Sequence, residues 1–127
     1  MSVVINNFIR KMAGCTLLCC TTLVAGMSVA GISVASADTI ADGQKVAFDR
    51  RKGNCLACHM IAGGSLPGNI GPPLIAMKSR FPDKADLRAQ IWDATVSNPN
   101  TIMPPFGKHL ILTEKEVDLV TEFIYGL

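Results

Sequence analysis

Apolar and polar residues recur with a helical period in separate stretches of this chain, and nowhere with the period of two that marks a strand. Over residues 114–125, Val117, Val120, Phe123 and Ile124 fall at i, i+3, i+6 and i+7 and share one face, while Glu116, Asp118 and Glu122 share the other. Thr113 and Glu116 stand at capping-box spacing, so each side chain satisfies the other's backbone donor. Residues 39–52 predict a second helix. Ile40, Gly43, Val46 and Ala47 form a narrow apolar stripe with Phe48 beside it. Thr39 suits the N-cap and Asp42 the first turn, Arg50, Arg51 and Lys52 suit the negative end of the dipole, and Gly53-Asn54 stops the helix. Gly43 is either a mere weak point or the place where another helix crosses closely, and 114–125 is the natural partner. A third helix, 84–96, opens at Pro82-Asp83 and turns Leu87, Ile91 and Trp92 inward. The segments between are Gly- and Pro-rich: Gly63-Gly64-Ser65-Leu66-Pro67-Gly68, Gly71-Pro72-Pro73, and residues 98–107 with Pro104-Pro105 inside them. The expectation is an all-α domain of about three main helices joined by structured loops.

The N-terminal stretch lies outside that domain. Arg10 and Lys11 precede an uncharged run from Met12 to Ala37, where Ala35-Ser36-Ala37 offers small residues to a signal peptidase. Residues 1–37 therefore read as a secretory signal cleaved after Ala37, and 38–127 as the exported domain, periplasmic and free of the membrane. An uncleaved anchor is the competing reading, although Gly14, Gly26, Gly31 and many hydroxyl residues make a poor span.

Removing residues 1–37 changes the picture. Of 5 Cys only Cys55 and Cys58 remain, and the 12 Lys and Arg fall to ten against 10 Asp and Glu. The exported domain is near neutral and lacks the basic stripe of a nucleic-acid binder. It also has no thiol to spare for a disulfide.

Those two thiols sit in Cys55-Leu56-Ala57-Cys58-His59, the attachment pattern of a c-type haem. Thiols three residues apart on one turn each add to a haem vinyl group, and the adjacent imidazole becomes an iron ligand. A thioredoxin-like pair would need a βαβ setting, which these flanks lack, and a zinc site would need a second ligand pair, where only His109 is left. One covalent haem c also gives so short a chain a centre to pack around. His59 must donate its other ring N–H to an acceptor, and a carbonyl of the rigid Gly71-Pro72-Pro73 shelf, represented by Pro72, is the candidate. On the far side of the iron the choice lies among Met60, Met77, Met103 and His109. Met60 adjoins His59 and cannot reach the opposite face. Met77 is explained by core packing, and His109 by a surface position near a helix start. Met103 precedes two prolines in a loop that cannot relax into helix, so it is assigned as the distal ligand. Trp92 is core, or its indole N–H reaches a haem propionate. Ile61, Leu66, Pro67 and Phe106 either ring the haem edge or pack inside.

Three runs then resemble one family. Gly53-Asn54-Cys55-Leu56-Ala57-Cys58-His59, Gly68-Asn69-Ile70-Gly71-Pro72-Pro73-Leu74 and Met103-Pro104-Pro105-Phe106-Gly107 are similar, in that order, to SoxX, the mono-haem subunit of the SoxAX cytochrome. The likeness covers most of residues 42–125. It implies a class I cytochrome c fold and an electron-transfer subunit paired with a SoxA-like mono- or di-haem cytochrome. The family's complex, a cysteine S-thiosulfotransferase, joins thiosulfate oxidatively to a cysteine of the SoxYZ carrier and passes electrons to a small acceptor cytochrome. Catalysis is implied to reside in SoxA, so no catalytic residue is assigned to this chain. A free electron shuttle for another oxidoreductase is the alternative.

Overall fold

A computed structural model describes residues 37–127, so the expected signal segment, apart from Ala37, lies outside the described residues. Among them are four α-helices and no strand: α1 (Ala37–Phe48), α2 (Met77–Arg80), α3 (Lys84–Trp92) and α4 (Glu114–Tyr125), with a single 3-10 turn at Cys55–Ala57. The all-α expectation holds, and three of these helices are those the periodicity predicts.

α4 matches its prediction. Glu116 N–H donates to Thr113 Oγ1 at 3.2 Å and Thr113 N–H donates to Glu116 Oε2 at 3.0 Å, completing the capping box. Val117, Val120, Phe123 and Ile124 are all buried. They receive α1, whose Gly43 lies flush on the α4 backbone: a Cβ there would come 2.1 Å from the Leu119 carbonyl oxygen. The close crossing is therefore the role of Gly43. Phe48 meets Phe123 edge to face with ring centroids 5.7 Å apart.

Both remaining helices stop short of their predicted ends for the same reason. α1 begins at Ala37, which puts Thr39 inside the first turn, and it ends at Phe48, not at Lys52. Asp49 Oδ1 accepts from Arg51 N–H at 2.8 Å, an Asx turn that diverts the chain before Arg50, Arg51 and Lys52 join the helix. α3 starts as expected, with the Asp83 side chain accepting from Ala85 N–H, but ends at Trp92 and not at Val96. There Asp93 Oδ1 accepts from Thr95 N–H at 3.1 Å. Ile40, predicted to face inward, is 38% exposed.

The polar face of α4 is not simply solvated. Glu116 pairs with Lys52, Asp118 with Arg88 at 2.6 Å and Glu122 with Lys84 at 2.5 Å, so each carboxylate takes a cation from another segment. Helix α2, unmarked by any periodicity, packs against the end of α4 where Met77 N–H donates to Leu127 O at 3.1 Å. Its entry residue Ala76 adopts φ +49°, a left-handed conformation uncommon without glycine.

Candidate functional site

The Cys-x-x-Cys-His segment folds as one tight turn: Cys58 N–H and His59 N–H both donate to the Cys55 carbonyl, at 3.2 and 2.9 Å. A second loop runs beside it in step. Carbonyls of Leu56, Cys58 and Met60 accept from the N–H groups of Gly68, Gly71 and Leu74 at 2.7, 2.8 and 2.9 Å. That close approach explains the spacing of the glycines. A Cβ on Gly68 would meet the Ala57 carbonyl oxygen at 2.0 Å, and one on Gly71 would meet the His59 ring at 2.4 Å.

His59 Nδ1 stands 2.7 Å from the Pro72 carbonyl oxygen. A carbonyl only accepts, so Nδ1 carries the proton and Nε2 keeps its lone pair for a metal. The hydrogen bond expected of the Gly71-Pro72-Pro73 shelf is thus present, and its acceptor is Pro72.

Cys55, Cys58, His59, Pro72 and Met103 all line one cavity of about 550 Å³. Its interior is apolar, with Leu74, Met77, Leu87, Ile91, Phe106, Leu112, Val120 and Ile124 in the wall. Its rim holds Arg50, Arg51, Lys52 and Arg80, and no carboxylate is among the lining residues. A flat apolar macrocycle that brings two carboxylates of its own suits such a space, and an imidazole, a thioether and two thiols are the donor set of haem c. Burial pushes the Cys55 thiol up to about 11, the opposite of the lowered value a redox-active Cys pair needs.

The distal candidates separate in three dimensions. Met60 is 54% exposed and, like the exposed His109, does not line the cavity. Met77 does line it, but is fully buried and its sulfur already accepts from Arg80 Nη1 at 3.5 Å. Met103 is half-buried, and no hydrogen bond among the described residues engages its sulfur. Its backbone N–H donates to Thr101 Oγ1 at 3.1 Å, which fixes the turn ahead of Pro104-Pro105.

Two choices left open by the sequence are decided. Trp92 packs against the core and does not line the cavity; its ring lies over Gly107, where a Cβ would come 2.0 Å from Cε3, and the Arg88 guanidinium stands 5.4 Å from its centroid. Ile61 and Phe106 are buried in the core, whereas Leu66 is 89% exposed and Pro67 is also exposed. Sequence reasoning missed Arg80 and Gln90 as lining residues. The run Lys78-Ser79-Arg80 shows no periodicity, so nothing local marked it.

A helical domain with this cavity, these thiols and this imidazole is a c-type cytochrome, built to carry covalent haem c and to transfer electrons. A model of one family matches residues 38–124, and the chain belongs to that family, described as cytochrome c oxidase, cbb3-type, subunit III. Cytochrome domains of this family face the extracellular side. None of the curated proteins matches the chain. No described helix is long and apolar enough to cross a membrane.

Proposed function

We propose that this chain carries one haem c, bound as thioethers to Cys55 and Cys58, with His59 as the proximal and Met103 as the distal iron ligand. The observation that carries this reading is the convergence of these side chains on one cavity whose only other thioether, Met77, is taken up by Arg80. Haem c supplies a one-electron couple, and thioether ligation raises its potential relative to two nitrogen ligands. His59 is held in one tautomer by Pro72 and needs no reorganisation when the charge changes. The apolar wall excludes water from the same space.

The protein acts, on this reading, as the electron-transfer subunit of a periplasmic SoxAX-type cytochrome. The similarity of Gly53 to His59 and of Gly68 to Leu74 to the SoxX family supports it. A SoxA-like subunit is its stable partner, and a SoxYZ-like carrier and a small acceptor cytochrome are transient ones. Export through residues 1–37, with cleavage after Ala37, delivers it there. The family match favours a second reading, an electron carrier to or within a terminal oxidase.

Ferric holoprotein should be low-spin with the weak sulfur-to-iron band, and Met103→Ala should abolish that band. A high-spin wild type that binds carbon monoxide readily overturns the ligand set. Purification from the native membrane-free extract separates the roles: a tightly bound second cytochrome with thiosulfate-coupling activity supports the SoxAX reading, and a monomer that reduces an oxidase refutes it.

A further inference from the structure

Residues 93–108 form an Ω-loop whose two ends meet at a neck. Asp93, buried at the end of α3, accepts Lys108 Nζ on Oδ2 at 2.7 Å, while its Oδ1 holds Thr95. Beside this pair the Trp92 carbonyl, a helix-end acceptor without an intrahelical partner, takes the N–H groups of Gly107 and Lys108 at 3.1 and 3.2 Å. The Trp92 ring closes over Gly107. Met103 sits within the loop, joined to the neck by Pro104-Pro105 and by Phe106, which is anchored in the core. Two fixed proline φ angles pass any displacement of the neck on to Met103. The upstream arm is held locally, by Asn98 N–H on the Ala94 carbonyl and Thr101 N–H on the Asn98 carbonyl at 3.1 and 3.0 Å and by the side-chain turns of Asn98 and Thr101.

We infer that the Asp93–Lys108 ion pair is the lock of this loop: Asp93 is a positioning residue for Met103, and it sets how readily that ligand yields to a competing one. The inference rests on the reading of Met103 as the distal ligand. Lys108 Nζ and the Thr95 amide and hydroxyl are the groups that face the Asp93 carboxylate. With the charge removed the buried oxygen loses its charge-assisted bond, and the neck opens by local unfolding while α1 and α4 stay packed.

The test uses ferric holoprotein and imidazole as the competing ligand, followed by loss of the sulfur-to-iron band. Asp93→Asn should accelerate displacement about tenfold. Lys108→Gln should do the same and serves if Asp93→Asn does not fold. Lys108→Arg, which keeps the charge, should restore the wild-type rate. Glu122→Gln breaks the pair with Lys84 at the opposite end of α3 and should leave the rate unchanged. Wild-type rates in both neck variants, or equal acceleration by Glu122→Gln, overturn the inference. If Met103→Ala retains the band, the ligand reading fails instead, whatever the neck variants do.

Discussion

The two loops that meet at the cavity are held in opposite ways. On the His59 side, residues 55–74 are zipped backbone to backbone, the alternate carbonyls of Leu56, Cys58 and Met60 taking the N–H groups of Gly68, Gly71 and Leu74, and the imidazole is wedged against Gly71 and bonded to Pro72. On the Met103 side the loop is closed at its neck by an ion pair and a pair of N–H groups on one carbonyl. The first loop is paired along its length, whereas the second is closed across its two ends by these few contacts. His59 is thus built into its surroundings, and Met103 is held at arm's length.

The sharpest way to break this comparison is to remove what both loops enclose. Cys55→Ala together with Cys58→Ala should leave a protein that does not accumulate, because the cavity walls then face water; normal yields of folded apoprotein, by immunoblot and circular dichroism, would contradict this. Next comes Gly71→Ala. Its methyl would overlap the His59 ring, which the zipped backbone prevents from moving, so haem content should fall to a small fraction of wild type by pyridine haemochrome assay. Full haem loading would show that the proximal loop is more yielding than its hydrogen bonds suggest.

Gly43→Ala asks how far the scaffold behind both loops is separable from them. The methyl would press on the Leu119 carbonyl and force α1 off α4, at a cost of about 2–3 kcal/mol in denaturant unfolding. The His59 and Met103 spectra should be unchanged below the unfolding transition.

The smallest effect concerns Glu116. Lys52 beside it, then the Thr113 amide, hold its carboxyl down from 4.5 to about 2. A carboxylate whose value falls on folding stabilises the native state above its unfolded value and loses that contribution as pH drops. The stability gap between wild type and Glu116→Gln should therefore be roughly 1 kcal/mol at neutral pH, after allowance for solvent screening. It should vanish between pH 4.5 and about 2 in urea titrations. No gap at any pH would mean that the capping box alone, which Gln preserves, is what Glu116 contributes.

Helices α1, α3 and α4 were legible because their apolar faces repeat locally, and α4 was legible to the residue because both members of its capping box lie within four positions. The early ends of α1 and α3 were not read, although Asp49 and Asp93 were visible. An Asp two residues before an available N–H is equally at home on a helix surface, and only the competing turn decides. Helix α2 is too short for a period to register. Residues of the candidate site were named from spacing and proline rigidity; their convergence on one cavity, and the capture of the Met77 sulfur by Arg80, depend on segments far apart in the chain.

What the sequence determined by itself is the chemistry and the local geometry. Cys-x-x-Cys-His, the capping box of α4 and the helical period all act within a few residues, where covalent spacing and sterics leave little choice. Tertiary structure alone decided which cation meets each carboxylate of α4, and that Lys108 reaches back to Asp93 to close the loop bearing Met103. Such pairings are long-range and nearly equal in intrinsic energy, so only the packing of the helices selects among them.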